Sequence, residues 1–381
     1  MTTIEQPSPE TRSTASICLS VPYAGGTAKS SKGSIALDQW RGFALILVLI
    51  SHGFFFTNRV NGLGRIGVNL FFFISGILVY RSLHREERRE WWQLAKSFWW
   101  RRLRRLYPAL IAYALAMLLP VWLLQTLPNL APHSEFGRYV RSLPFALTYS
   151  INYLPDGAFA LGHLWSLSCE MQFYCLAPFI FLFAGSNGRR RMFVFGGVAL
   201  ALAGIGLILP MSGSRYQDFK YHFEVAAWPM AFGVFCEFTK LWFLRIRPGQ
   251  VRFILGLGAA ALALIVVLML FGMDTKLLAI AAGAMLLFPC LLSYLFGLTC
   301  PGVIGRCLAW CGERTYSIYL WQEPLTICGY LPPMLQPVGA SVSVLVGAWW
   351  FRVFELPFLS SSRASHVFVP AHSVKHLKHQ V

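Results

Sequence analysis

Three ionisable residues stand in the first long apolar stretch of the chain, ALDQWRGFALILVLISHGFFF: Asp38, Arg41 and His52. On an α-helix the steps from Arg41 to His52 turn through about 1100°, some 20° beyond three full turns. Asp38 falls within about 60° of both. One helix face therefore carries an acid, a guanidinium and an imidazole, with His52 about 16 Å further along than Arg41. Imidazole titrates near neutrality and suits general-base work. Taken singly, Asp38 and Arg41 read as an i, i+3 pair at a helix end and His52 as a packed core histidine. All three on one face of so apolar a segment read as a site, because a charge inside a bilayer is costly and usually faces a partner or a wet cavity.

A second constellation is His163-Leu-Trp165-Ser166-Leu-Ser168-Cys-Glu170. Its spacing of two helical turns predicts that His163 and Glu170 point the same way. An interfacial cap would account for Trp165 and Ser166 but not for Glu170, since an unpaired buried carboxylate is expensive. A third is Arg101, Arg102, Arg104 and Arg105, flanked by Trp99, Trp100 and Tyr107. This is an ordinary basic flank of a membrane helix. It is also a set of side chains able to hold a phosphorylated nucleotide by bidentate contacts and ring stacking. His222 follows an expected outer loop, lies outside these motifs and is expected to matter little.

The elements that carry these residues follow from composition. Of 381 residues, 56% are hydrophobic and 13% charged, against roughly a quarter charged in a soluble domain. That points to an all-α integral membrane protein. The formal charge of +17 sits in short loops between apolar segments, which is the pattern of membrane orientation and not of a nucleic-acid-binding face. Spans of about 20 residues are predicted near 36–56, 66–83, 105–126, 163–184, 191–209, 221–243, 251–272, 277–297, 312–333 and 338–358, ten in all. A short, Pro-flanked stretch at 142–155 reads as a re-entrant piece. With both termini cytoplasmic, the inner loops collect Arg85, Arg88 and Arg89, then Arg189 to Arg191, then Lys240, Arg245 and Arg247; Arg59, Arg65, Arg138 and Lys220 are scattered outside. The expected organisation is a disordered tail at 1–34, a transmembrane domain at 35–359 and a basic tail at 360–381. The nine cysteines form no disulfide framework. Cys300, Cys307 and Cys311 lack the paired spacing of a zinc site, so no metal is expected.

These motifs, in this order, resemble the membrane-bound acyltransferase-3 family. The resemblance rests on Leu37-Asp38 with Arg41-Gly42 and His52; Gly67 to Phe72 leading to Ser75-Gly76; Arg101 to Pro108; His163-Leu-Trp165-Ser166-Leu with Glu170 and Phe173-Tyr174; Tyr316-Ser317-Ile-Tyr319-Leu-Trp321 with Pro324; and Arg352-Val-Phe-Glu355-Leu-Pro357. It runs from residue 37 to 357. It implies a ten-helix fold that takes an acyl group, usually acetyl from acetyl-CoA, and delivers it to a hydroxyl of a surface or secreted glycan in the inner membrane of a bacterium. On that reading His52 is base or transient acyl acceptor, and Asp38 and Arg41 position it and the donor. Glu170 and His163 orient the acceptor or stabilise the imidazolium, and the arginines take the CoA phosphates. Tyr319, Gln322, Arg352 and Glu355 are expected around the substrates. Family members typically carry a histidine where this chain has Gln322. No C-terminal SGNH-type domain is expected to follow.

Membrane lipid, acyl-CoA and a carbohydrate or lipid-linked glycan are thus the expected partners. The same buried charges also fit a transporter or flippase of a lipid-linked saccharide, and the same motifs fit acylation of a small molecule such as an antibiotic.

Overall fold

The computed structural model describes residues 32–54, 61–126, 134–208, 221–271, 275–326 and 333–359, and no strand occurs among them. The first half comprises α1 (Lys32–Gly53), α2 (Asn61–Arg85), α3 (Trp91–Ala116), α4 (Leu118–Thr126), α5 (Glu135–Leu147), α6 (Phe159–Gly162), α7 (Trp165–Phe183) and α8 (Gly188–Ile208). The second comprises α9 (Phe223–Ala226), α10 (Trp228–Phe243), α11 (Pro248–Leu270), α12 (Thr275–Phe296), α13 (Gly302–Glu313), α14 (Thr315–Thr326) and α15 (Gln336–Trp350). Beyond α15 the helix widens to π winding over Phe351–Glu355, a local form often found at functional sites.

Helix α2 is central, with 78% of its span buried, whereas α8 and α11 are 17% buried and turn Phe193, Leu200, Phe253 and Leu257 outward. Apolar faces of that extent suit hydrocarbon. The inner contacts are closest where glycines meet backbone. A Cβ on Gly42 of α1 would lie 1.9 Å from the carbonyl oxygen of Leu308 on α13, and one on Gly312 of α13 would lie 1.8 Å from that of Asp38. Gly76 and Gly233 lock α2 to α10 in the same reciprocal way. Small residues at helix crossings let membrane helices approach to backbone contact. Gln39 adds a polar clasp, donating to the carbonyls of Cys300 and Gly305 and accepting from the Cys300 amide. Within α7, Pro178 has no N–H for the carbonyl four residues back. That carbonyl, on Tyr174, accepts instead from the indole N–H of Trp99 on α3 at 2.9 Å.

Seven stretches are long and apolar enough to cross a bilayer: 32–53, 62–85, 91–126, 159–183, 188–208, 248–268 and 336–359. The chain is a multi-pass membrane protein, and these coincide with seven of the ten expected spans. The other three differ. The expected span at 221–243 is α9 followed by the 16-residue α10, and that at 277–297 is α12, apolar over Met285–Phe296. The one at 312–333 falls on two 12-residue helices, α13 and α14, that meet at Arg314. The stretch at 142–155 is the end of α5, a reversal at Tyr149 (φ 53°) and a 3₁₀ turn at Ile151–Tyr153. Arg65, expected in a loop, lies in the first turns of α2. The expected tails lie outside the described residues, except that α1 already begins at Lys32.

Two loops expected on one side of the membrane do meet. Arg191 of the second basic loop is buried against Phe181 and pairs with Glu87 of the first at 2.6 Å.

Candidate active site

The last turn of α1 carries His52, and its Nδ1 contacts the side-chain oxygen of Gln322 on α14. An amide oxygen only accepts. With that oxygen facing the ring, Nδ1 carries the proton and Nε2 keeps the lone pair that a base requires. Gln322 is fully buried, so the contact is shielded from competing water. The next residue, Glu323, brings its carboxylate 2.9 Å from Nδ1 of His163. That approach lies off the line of a ring N–H hydrogen bond. His163 is itself buried between the rings of Tyr113 and Tyr319, at 5.9 and 5.6 Å.

His163 and Glu170, expected to point the same way, have different partners. His163 closes α6, and α7 begins at Trp165. Glu170 instead accepts from the hydroxyls of Ser75 on α2 and Tyr174 one turn along α7. The carboxylate beside the histidines is Glu323. Its signal in the sequence is the one that marked Glu170, an acid inside an apolar segment.

A second polar layer lies nearer the start of α1. Arg41 pairs with Asp38 at 3.8 Å and is within electrostatic range of Arg105, Glu170 and Glu355. Arg102 lies over the rings of Phe98 and Tyr174, at 3.6 and 4.5 Å. The Arg105 Nε is 3.3 Å from Glu355, whose other oxygen accepts from Ser317 at 2.9 Å. Three cations (Arg41, Arg102, Arg105) therefore face three acids (Asp38, Glu170, Glu355), and the layer is formally neutral. Arg101 and Arg104 occupy the other face of α3. Arg101 pairs with Glu86, and Arg104 lies over the exposed Trp100 ring at 5.9 Å. Arg101 and Arg104 thus lie on one side of α3 and Arg102 and Arg105 on another, since residues three apart share a helix face and adjacent ones do not. Arg352 is exposed on the π turn, while Glu355 on the same turn is fully buried.

A cavity of about 60 Å³ opens beside the second layer, lined by Arg41, Ser75, Ser166, Glu170, Thr315 and Tyr319 together with Phe71, Phe72 and Tyr316. The Ser166 and Tyr319 hydroxyls are 2.7 Å apart, and Tyr319 donates to the carbonyl of His163 at 3.0 Å. Trp165 turns toward the first turns of α2, beneath the Arg65 guanidinium at 5.8 Å and against Tyr221 at 4.8 Å. Among the described residues, no three His, Cys, Asp or Glu side chains gather closely enough to hold a metal ion.

The order of these residues along the chain and their convergence on one cavity can be compared with known proteins. A family model described as an acyltransferase domain, of the acyltransferase-3 type, matches residues 34–354. The chain belongs to the acyltransferase-3 family. Its relatives are named O-acetyltransferases. One is the peptidoglycan O-acetyltransferase OatA of Listeria monocytogenes, 27% identical over 357 residues, which cover 87% of this chain and 56% of that one. Another is named "Putative peptidoglycan O-acetyltransferase YrhL", from Bacillus subtilis, 27% identical over 329 residues covering 80% of this chain and 50% of that one. The chain spans about half the length of the curated relatives it matches. No solved structure matches it.

Proposed function

We propose that this acyltransferase moves an acetyl group from acetyl-CoA on the cytoplasmic side of the inner membrane to a hydroxyl of an exported or surface carbohydrate. The observation that carries this reading is the contact of His52 with Gln322. With the ring proton on Nδ1, the neutral imidazole keeps its lone pair on Nε2, at the end of the polar face of α1.

The chemistry balances without a further reactant. His52 Nε2 takes the proton of the acceptor hydroxyl as its oxygen attacks the thioester carbonyl carbon. A C–O bond forms, the C–S bond breaks, and the proton passes to the departing thiolate. A positioned base of this kind contributes about 10²–10⁴-fold. The face of α1 from Arg41 to His52, about 16 Å long, is a path for the extended arm of the donor. Arg41 is held by Asp38 and Glu170 at the inner end of that path. At the basic inner edge the donor phosphates are assigned to Arg104, beside the exposed Trp100, and to Arg101, which would exchange its Glu86 partner for them. His163 and Glu323 sit beside the base, where a carboxylate favours the imidazolium that forms in transfer. The acceptor is assigned to a carbohydrate on the names of the two relatives above, which act on peptidoglycan.

Mass spectrometry of surface glycan, from cells lacking the chain and from cells with it restored, tests the reading. Acetyl esters that vanish and return with the chain support it. An unchanged glycan, with acetyl transfer to another class of acceptor, contradicts it.

A further inference from the structure

Beside the mouth of the cavity lies a cluster that the chemistry above does not use. The Tyr153 hydroxyl donates to one oxygen of Glu224 at 2.8 Å, and Nδ1 of His222 lies 3.3 Å from the other. The Tyr153 ring, 46% exposed, lies over His222 at 4.6 Å. Tyr221, the residue before His222, is held by its carbonyl, which accepts from the Cys169 thiol at 3.2 Å, and its ring meets Trp165. Trp165 in turn meets Phe72, whose side chain lines the cavity. A strip of aromatic rings therefore leads from a half-exposed surface to the wall of the cavity. His222, expected to be inert, is part of it.

We propose that Tyr153, Tyr221, His222, Glu224 and Trp165 form an outward-facing subsite for a pyranose unit of the acceptor, a proposal that rests on the carbohydrate reading above. The negative π faces of aromatic rings suit the C–H face of a sugar ring. The polar groups at the strip's edge suit its hydroxyls. An ionised carboxylate offers about four lone-pair positions, and the two given to Tyr153 and His222 leave room for sugar hydroxyls. Burial raises the Tyr153 hydroxyl's pKa, and the bond to Glu224 raises it further, so it stays a donor. The charges nearest the strip, Arg65 over Trp165 and Glu224 under Tyr153, are one of each sign. A neutral, hydroxyl-rich ligand fits that balance better than a phosphate, which Glu224 would repel.

The test is steady-state acetyl transfer from acetyl-CoA to N-acetylglucosamine tetrasaccharide by the full chain in nanodiscs. Tyr221→Ala and Glu224→Gln should each raise the KM for the tetrasaccharide about tenfold or more, the usual scale for truncating an aromatic anchor, with kcat changed far less. Glu224→Gln keeps the side-chain shape, so a raised KM in that variant is not a product of misfolding, and thermal melting of each variant is read alongside. If the wild-type chain acetylates the tetrasaccharide and both variants keep its KM, the subsite is wrong and the carbohydrate reading stands. If the wild-type chain acetylates no saccharide, the carbohydrate reading fails and the subsite with it.

Discussion

His52 and Gln322, 270 residues apart in sequence, meet through the ring Nδ1 of one and the amide oxygen of the other. The contact fixes which ring nitrogen is basic. Gln322→Leu removes the acceptor and should cut kcat at least tenfold, within the range a positioned base supplies, without lowering the melting temperature. Gln322→His, the residue typical of the family at this place, keeps a ring nitrogen able to accept and should retain most activity. Full activity in Gln322→Leu would show that the amide does not set the tautomer.

Arg105 and Glu355 make a testable pair of a different kind, because Glu355 is fully buried. Removing one partner of a buried pair costs about 3–5 kcal/mol, since the other is left as an uncompensated charge. Arg105→Gln should therefore lower the melting temperature sharply, and adding Glu355→Gln should recover much of it. Melting curves in detergent, read together with donor KM, separate this from a phosphate contact. A variant that melts like wild type but binds acetyl-CoA poorly would return Arg105 to the donor site.

The close crossing of α1 on α13 makes a packing prediction. Gly42→Ala places a Cβ 1.9 Å from the Leu308 carbonyl oxygen, which backbone cannot yield cheaply. Overpacking of this sort costs about 1–3 kcal/mol or more, and activity should fall as His52 shifts with its helix. Gly137→Ala on α5 meets nothing within 4 Å. It should be neutral or stabilising by up to about 1 kcal/mol. Equal melting of the two variants would contradict the crossing.

Much of this arrangement was legible in the sequence. The shared face of Asp38, Arg41 and His52 follows from helical period alone, and seven of the ten expected spans coincide with long apolar helices. The pairings were not legible. His163 and Glu323 lie far apart in the chain, and Glu323 was hidden beside the conspicuous Gln322. The arginine run looked uniform because sequence does not say that Arg102 and Arg105 face Tyr174 and Glu355 while Arg101 and Arg104 face away. Nor did the apolar pattern show where a single residue, such as Ala227 or Arg314, ends one helix and begins another.

Orientation is open to direct measurement. The Arg191–Glu87 pair brings two basic loops together, and positive loops remain cytoplasmic. Reporter fusions after residues 188, 248 and 381 should report the cytoplasm, and those after 135 and 214 the outside. Opposite signals from the fusions at 188 and 248 would break the assignment.

The central claim is that His52 is the base for acyl transfer. Purified wild type, His52→Ala and His52→Gln are compared for acetyl transfer from acetyl-CoA to a saccharide, with melting measured on the same preparations. Neither change adds a buried charge, so both variants should melt near wild type. Alanine has no lone pair to offer, and an amide only a feeble one, so transfer should fall by roughly 10²–10⁴-fold in each. A folded His52→Ala chain that acylates at a rate close to wild type would contradict the account.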